Sequence, residues 1–220
     1  MAPDRDDAPL RILVTGFGPF PGAPFNPTGA LVEALARLRR PGLSGCRIVG
    51  HVFRTSYAAV EAELPELIAR RRPHVLLMFG LAARTPFLRV ETCARNARSG
   101  LLSDAAGQLP GERRIVAGGK PRLAGRAPFA RLARALQAAR LPARLSHNAG
   151  RYLCNYLYWR AAEIAPGQAP RLLLFVHVPK LGSGRRPAAR IRRRAMTAAD
   201  LRRAGEVLLR ILAAEARKRG

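Results

Sequence analysis

Along this chain, short runs of apolar residues alternate with longer segments in which apolar residues recur every three or four positions. The short runs are typical of strands buried on both faces, and the periodic segments are typical of helices that cover a sheet. The pattern predicts strands at 11–15, 46–53, 74–81 and 171–178, and helices around 31–38, at 56–72, at 128–140, from 154 onward and from 197 to about 217. This alternation predicts a single α/β domain in which a mostly parallel, twisted sheet lies between helices.

Several residues predict where helices begin and where regular structure is absent. Ser56 stands at a capping position of the second helix, which Pro65 is expected to interrupt. Thr197 and Asp200 have the spacing of a capping box, which predicts the start of the last helix. Residues 98–122 are rich in glycine, proline and polar side chains, so they predict a long loop of the kind that often covers a binding site.

The ends of the predicted strands indicate where a site would form. In parallel sheets, ligands bind beyond the carboxyl ends of the strands. Three segments follow such ends, namely 16–26, 81–91 and 177–182. We therefore expect these segments to meet at one edge of the sheet.

Composition limits the class of protein. A chain of 220 residues with 48% hydrophobic residues can bury one sizeable core, which we expect to span 11–220 after a disordered tail at 1–10. No apolar run approaches the roughly 20 residues needed to span a bilayer. The acidic amino terminus has no apolar centre, so it does not predict a secretory signal. The three cysteines, Cys46, Cys93 and Cys154, have no metal-ligand spacing, which predicts a reduced cytoplasmic protein without a bound metal or other cofactor.

The net charge of +25 raises the question of an anionic partner. Nearly all of this charge is arginine, and it is spread along the chain together with abundant alanine, glycine and proline, as a GC-rich coding sequence would produce. The one dense basic stretch is 185–194. The charge therefore predicts a solvated basic surface rather than a nucleic-acid-binding protein, although binding of a polyanion stays open as an alternative.

A cysteine and a distant histidine provide the candidate chemistry. Cys154 lies where a polar, glycine-containing segment meets an apolar helical pattern, and a helix start favours the thiolate. His177 lies near the end of a predicted buried strand, and Glu91 is an acid that can orient an imidazole. His147, seven residues before Cys154, is a competing base. Taken alone, the same residues also fit a structural core cysteine and a core histidine.

The loop after the first strand does not fit a nucleotide site. Gly16 and Gly18 precede two prolines at the point where a phosphate-binding helix would have to begin. The loop instead carries Phe17, Phe20 and Phe25, which form either a small apolar pocket or a staple that holds the loop on the core.

An ordered set of motifs resembles the pyroglutamyl peptidase I family of cysteine peptidases. The motifs are TGFGPF at 15–20 with Asn26-Pro27, then Glu91 with Ala94 and Asn96, then Asn148-Ala149-Gly150 before Leu153-Cys154-Asn155, and finally Phe175-Val176-His177-Val178-Pro179. The resemblance covers nearly the whole chain from about residue 11 to the last helix. Four motifs in the same order are far more specific than any one of them.

The resemblance implies a mechanism and a set of site residues. It implies that Cys154 is the nucleophile, His177 the base and Glu91 the residue that orients the imidazole, in an exopeptidase that removes N-terminal pyroglutamate through an acyl-enzyme. It also implies a substrate pocket built from Phe17, Phe20, Asn26, Leu81 and Leu153, with Asn26 near the ring carbonyl. The implied substrate is a small peptide with a blocked amino terminus, and members of the family often form homo-oligomers.

The chain also departs from the family pattern. Leu81 replaces a glutamine that helps to recognise the lactam, and Leu101 replaces an arginine for which Arg98 is the nearest substitute. Val90 and Thr92 replace a proline and an arginine beside the glutamate. These changes leave two alternatives open, an amidase of the same fold with another substrate and a catalytically idle homologue that binds a polyanion.

Overall fold

The computed structural model describes residues 8–20, 22–164, 167, 170–182 and 195–219. The strands are Leu10–Phe17 (β1), Cys46–Phe53 (β2), Val75–Leu81 (β3), Leu88–Glu91 (β4), Cys93–Arg95 (β5), Arg122–Ala124 (β6), Ala143–Ser146 (β7) and Leu172–Val178 (β8). The α-helices are Pro27–Ala36 (α1), Tyr57–Arg71 (α2), Phe129–Ala138 (α3), Leu153–Glu163 (α4) and Ala198–Lys218 (α5), and Pro41–Leu43 form a short 3-10 helix. Most of the expected tail and the arginine-rich stretch 185–194 lie outside the described residues, and β1 begins at Leu10.

The main sheet has six strands in the order β2-β1-β3-β8-β4-β7, with helices on both faces. Adjacent strands are parallel except β4 and β8, which are antiparallel. Strands β5 and β6 form a separate antiparallel pair. The prediction of a single α/β domain with a mostly parallel sheet between helices is confirmed. The sequence did not predict that β4 and β7 run opposite to the other four strands of the sheet.

Two apolar cores lie on the two faces of the sheet. Helices α1, α3 and α5 pack on one core, and α2 and α4 pack on the other. Alternate residues of β8 point to opposite faces, so Leu174 and Val176 enter the first core while Phe175 enters the second. His177 has the same parity as Phe175 and therefore points to the face covered by α4.

Helix α2 differs from its prediction in two respects. It continues through Pro65, because Val60, Leu64 and Ile68 are buried on the core and their packing offsets the lost backbone hydrogen bond. Ser56 is the N-cap residue, as expected, but its side chain makes no capping hydrogen bond. The backbone N–H of Tyr57 instead donates to the carboxylate of a distant residue, Asp104, at 3.0 Å.

The last helix begins as the sequence predicts. The Thr197 hydroxyl accepts a hydrogen bond from the Asp200 N–H at 3.1 Å, and the Asp200 carboxylate accepts one from the Thr197 N–H at 3.0 Å. This reciprocal pair is the expected capping box. Met196, just before this cap, accepts a hydrogen bond from the Gly182 N–H at 3.0 Å, so α5 starts close to the segment that follows β8.

Two further observations concern the whole described region. All three cysteines are free thiols. In the part of the chain that the structure describes, no helix combines the length and the apolar character needed to cross a membrane.

Candidate active site

The thiol of Cys154 lies in the first turn of α4. The helix starts at Leu153 after the N-cap residue Tyr152, whose backbone is extended. The first backbone N–H groups of a helix have no partner within the helix, and they carry the positive end of its dipole. Cys154 therefore occupies the helix start that the sequence predicts, facing the sheet beneath.

A glycine in the neighbouring strand makes room for this thiol. Gly80 in β3 is paired with His177 in β8, so the two residues lie side by side in the sheet. A Cβ added at Gly80 would lie 2.5 Å from the Cys154 Sγ and 2.8 Å from a ring carbon of Phe175. Only the bare backbone of glycine lets the sulfur approach the sheet beside the imidazole.

The imidazole of His177 is held by the carboxylate of Glu91. The His177 Nδ1 lies 2.8 Å from the Glu91 Oε1, and both side chains are buried. The antiparallel pairing of β4 with β8 makes this contact possible, because Glu91 faces Phe175 directly and His177 is its diagonal neighbour on the same face. The sequence predicted that 16–26, 81–91 and 177–182 would meet beyond the carboxyl ends of parallel strands. This expectation is wrong for Glu91, because it lies in β4, which is antiparallel to β8.

The protonation states of the pair are strongly coupled. Burial lowers the pKa of His177, but the charge and hydrogen bond of Cys154 and those of Glu91 outweigh burial and raise this pKa to about 9. Burial raises the pKa of Glu91, but the hydrogen bond and charge of His177, with smaller contributions from Ser146 and Arg89, bring it below its ordinary value. The geometry therefore favours an imidazolium beside a carboxylate at neutral pH.

The backbone of the acid is fixed from α4. The Tyr158 hydroxyl donates a hydrogen bond to the Glu91 carbonyl oxygen at 3.0 Å, and Tyr158 is buried. A Cβ added at Gly125 would lie 1.9 Å from that hydroxyl, so a glycine is required there. The same helix thus carries the Cys154 thiol and a support for Glu91.

Two of the predicted pocket aromatics lie beside the start of α4. The Phe17 ring is buried at the end of β1 with its centroid 6.0 Å from that of Phe53. The half-buried Phe20 ring lies 6.0 Å from that of Tyr152. Phe25 is 91% exposed, so it does not share their burial. Phe17 and Phe20 therefore pack against the core beside the start of α4, and Phe25 does not.

The side chain of Asn26 is used within its own loop. Its Oδ1 accepts hydrogen bonds from the Thr28 N–H at 3.1 Å and the Thr28 hydroxyl at 2.9 Å, which caps α1. Its Nδ2 donates to the Gly18 carbonyl oxygen at 3.1 Å, and the Thr55 hydroxyl donates to the same oxygen at 3.0 Å. Asn26 therefore holds the shape of the loop that carries Phe17 and Phe20.

The two predicted leucines occupy different surroundings. Leu153 is buried in the same core as Phe17, at the first position of α4. Leu81 is half-buried at the end of β3, paired with Val178 of β8. Leu81 thus lies one residue beyond the Gly80 that faces the thiol, where its side chain offers apolar surface and no hydrogen bond.

The long loop is fastened across this edge of the sheet. The Ser99 N–H donates to the Arg151 carbonyl oxygen at 2.6 Å, and the Tyr152 hydroxyl donates to the Ser103 carbonyl oxygen at 2.9 Å. The buried Asp104 carboxylate accepts hydrogen bonds from several backbone N–H groups, namely those of Tyr57, Ala106 and Gln108 at 2.8–3.0 Å. The loop therefore connects the start of α2 with the start of α4, next to Cys154.

Arg98, the nearest substitute for the arginine that Leu101 replaces, makes its side-chain contacts within the loop and to α4. The Arg98 guanidinium donates to the Arg114 carbonyl oxygen at 2.9 and 3.1 Å and lies 5.9 Å from the centre of the Tyr156 ring. Leu101 is 91% exposed. Arg98 thus holds the loop together.

Of the two candidate bases, His177 is the imidazole that interacts with both Cys154 and Glu91. The exposed His147 instead has its Nδ1 2.6 Å from the Thr92 hydroxyl. Gly80 and Asp104 were not predicted from the sequence, although a glycine inside an apolar strand is a recognisable sign of close approach. Within the described ranges, no group of three or more His, Cys, Asp or Glu side chains is arranged to hold a metal ion.

Comparisons with known proteins identify the family to which this chain is similar. Residues 10–191 match the family model described as pyroglutamyl peptidase. The pyrrolidone-carboxylate peptidase of Oceanobacillus iheyensis is 31% identical over 170 residues, which cover 77% of this chain and 83% of the relative. That of Thermococcus kodakarensis is 29% identical over 77% of this chain and 81% of its own length.

Solved structures share the fold. The pyrrolidone carboxyl peptidase of Thermus thermophilus has a TM-score of 0.78 and 29% identity, covering 91% of this chain and 99% of the other. That of Thermococcus litoralis has a TM-score of 0.84 at 23% identity, covering 96% of both chains, which shows the shared fold. The family model spans more than four-fifths of the sequence, and so this chain belongs to the pyroglutamyl peptidase family of cysteine-type omega peptidases.

Proposed function

We propose that this chain removes pyroglutamate from the amino terminus of peptides through a Cys154–His177–Glu91 triad and an acyl-enzyme. The observation that carries the proposal is the 2.8 Å contact between His177 and Glu91, with the Cys154 thiol at a helix start on the other side of the imidazole. Nucleophile, base and orienting acid in this order are the parts of a thiol hydrolase.

The first half of the reaction transfers the acyl group to sulfur. With Nδ1 engaged by Glu91, the Nε2 of His177 is the nitrogen that takes the proton of the Cys154 thiol, and this transfer gives a thiolate beside an imidazolium. The thiolate attacks the pyroglutamyl carbonyl carbon and forms a tetrahedral oxyanion. As the intermediate collapses, the carbon–nitrogen bond breaks, the leaving amine takes the proton from His177, and a thioester to Cys154 remains.

The second half returns the enzyme to its starting state. A water molecule gives a proton to His177 as its oxygen attacks the thioester carbon. The carbon–sulfur bond then breaks, pyroglutamate leaves, and the Cys154 thiolate is again beside the His177 imidazolium, which is the starting state. The first-turn N–H groups of α4 stabilise both oxyanions, an effect worth roughly 3 kcal/mol per donor in comparable sites.

Recognition of the lactam is assigned to the aromatic loop. Phe17 and Phe20 provide flat apolar surface beside the start of α4, and Asn26 keeps their loop in shape. Leu153 lines the same region from the helix. The substrate is therefore a small peptide whose blocked amino terminus fits an apolar pocket, and the free thiols fit a reducing, cytoplasmic location.

One observation favours a second candidate, an amidase with the same triad and another substrate. Leu81 lies at the site edge where a hydrogen-bonding side chain would help to hold a lactam. A polar substrate group left without a partner costs about 1–3 kcal/mol, or roughly ten- to a hundredfold in kcat/KM. In this alternative the triad is the same, and the substrate differs because Leu81 offers no side-chain hydrogen bond.

The test compares hydrolysis of a fluorogenic pyroglutamyl amide by the wild type, Cys154→Ala and Cys46→Ala. Cys46 is a half-buried thiol at the start of β2, so it is a matched control. We expect Cys154→Ala to lose activity by at least about a thousandfold and Cys46→Ala to retain it.

A parallel measurement separates the alternatives. Site-resolved alkylation by iodoacetamide reports whether Cys154 is reactive without any substrate. No hydrolysis with rapid alkylation of Cys154 would support the second candidate and contradict pyroglutamate specificity. No hydrolysis, slow alkylation and retention on heparin at moderate salt would overturn the enzymatic proposal in favour of polyanion binding.

A further inference from the structure

Arg89 lies on the catalytic face of the sheet, two residues before the acid. It is paired directly with His177 across β4 and β8. Its Nη2 lies 2.9 Å from the Glu91 Oε1 and 2.8 Å from the Ser146 hydroxyl, and the same nitrogen donates to the Asn148 carbonyl oxygen. One guanidinium nitrogen therefore connects Glu91 with residues 146–148, which precede α4.

The environment makes this contact important for the acid. Glu91 is fully buried, and its Oε2 has no hydrogen-bond partner among the described residues. Its Oε1 receives both His177 and Arg89. A buried carboxylate with one free oxygen depends on its few charged neighbours for both its position and its ionisation. Arg89 is the one of these neighbours that the catalytic cycle does not titrate.

We propose that Arg89 is a positioning residue of this site, which holds the Glu91 carboxylate ionised against His177 and fastens residues 146–148 to it. The proposal deepens the function proposed above and rests on it. None of the family motifs that identify the chain includes this arginine. Its side chain is 23% exposed, so the guanidinium reaches the acid from the rim of the site.

Several titratable and charged side chains lie near the His177–Glu91 pair. Cys154 and Tyr158 face the pair from α4, and Tyr158 interacts electrostatically with Cys93 and Arg126. Arg89 is the permanent cation in direct contact with the carboxylate, and it lowers the pKa of Glu91. Without Arg89, Glu91 would be balanced by the His177 imidazolium alone, so loss of the imidazolium proton would leave a buried, unpaired carboxylate.

The charge of Arg89 therefore favours the ionised form of Glu91 and disfavours the ionised form of His177, which lowers both pKa values. A cation beside Glu91 stabilises the carboxylate and opposes a second cation on His177. Removal of Arg89 should raise the pKa of Glu91 and also raise the pKa of His177 above about 9. The acidic and alkaline limbs of the kcat/KM profile should both move to higher pH, which a purely structural loss would not cause.

The experiment measures Arg89→Gln, Arg89→Lys and Arg95→Gln against the wild type. Arg95 donates to the Asn148 side chain at 3.3 Å, and its guanidinium has no described contact with Glu91, so it is the matched control. The readouts are the NMR titration of His177 in histidine-labelled protein and the pH profile of pyroglutamyl amide hydrolysis. The NMR titration needs no activity, so it tests Arg89 even if the proposed function fails.

We expect Arg89→Gln to move the His177 midpoint upward and to lower kcat/KM at neutral pH by roughly ten- to a hundredfold. Arg89→Lys should keep the midpoint because it keeps the charge, and Arg95→Gln should keep it as well. An unchanged or lowered midpoint in Arg89→Gln would overturn the proposal, and so would a full shift in Arg89→Lys. If Arg89→Gln does not fold, Arg89→Met keeps the aliphatic stem and gives the same test.

Discussion

At the scale of single residues, the proposed catalytic arrangement depends on two glycines that have no side chain as well as on the side chains of the triad. Gly80 leaves the space in which the Cys154 sulfur lies, and Gly125 leaves the space for the hydroxyl that supports Glu91. Each glycine is required because a Cβ would clash with its neighbours. Backbone conformation is not the reason, since neither glycine has a positive φ. Precise placement matters because a displacement of about 1 Å can cost a hundredfold in rate.

Gly80→Ala should therefore inactivate the enzyme while the chain still folds. The new methyl group would meet the Cys154 sulfur at 2.5 Å, so the nucleophile must move. We expect kcat to fall by about a hundredfold or more and stability to fall by about 1–3 kcal/mol. Gly100→Ala is the control, because a Cβ there has no neighbour within 4 Å. Full activity in Gly80→Ala would contradict the placement of the thiol.

The raised pKa of His177 also predicts how stability depends on pH. A histidine that binds its proton more tightly in the folded state stabilises the protein fully below its unfolded pKa of about 6.5. This contribution is lost as the pH rises through about 9. The melting temperature of the wild type should therefore fall between these values more steeply than that of His177→Asn. Parallel curves for the two proteins would show that the imidazolium is not stabilised by Glu91 and Cys154.

At the scale of elements, the start of one helix is completed by a distant loop. The N-cap side chain of α2 makes no capping bond, and the Asp104 carboxylate accepts the Tyr57 N–H instead. The same carboxylate closes its own loop by accepting from Ala106 and Gln108. A carboxylate at a helix start is also favoured by the helix dipole. Asp104 therefore joins the long loop to the framework of the site.

Asp104→Ala should loosen this loop and weaken α2. Loss of the cap is expected to lower stability by about 1–2 kcal/mol and to speed proteolysis within 98–122. Glu112→Ala in the same loop is the control, because its carboxylate is 71% exposed and 3.9 Å from Arg98. That change should stay within about 0.5 kcal/mol. Equal effects from the two substitutions, measured by urea unfolding, would contradict the role given to Asp104.

At the scale of the whole molecule, the charge of +25 opposes compaction. Most described ion pairs are at the surface and many join residues one helical turn apart, so they offset little of this repulsion. The buried exception is the Glu91 pair, which belongs to the site.

The melting temperature should accordingly rise with moderate salt. Raising sodium chloride from about 10 mM to about 0.15 M shortens the screening length from roughly 30 Å to about 8 Å. Repulsion among arginines is then reduced, while the buried contacts of the site are hardly screened. We expect an increase of a few degrees by calorimetry. A melting temperature that falls over this range would show that attractive surface pairs outweigh the repulsion.

The sequence by itself determined the alternation of strands and helices, the placement of Cys154 at a helix start and the position of His177 on a buried strand. These features follow from local periodicity and capping, which neighbouring residues decide. Only the tertiary structure decided that Glu91 meets His177 through an antiparallel strand, that Gly80 faces the sulfur, and that Asp104 and Arg89 act on distant segments. Strands β4 to β7 have only three or four residues each, too few for a periodic signal, so long-range pairing and packing alone place them.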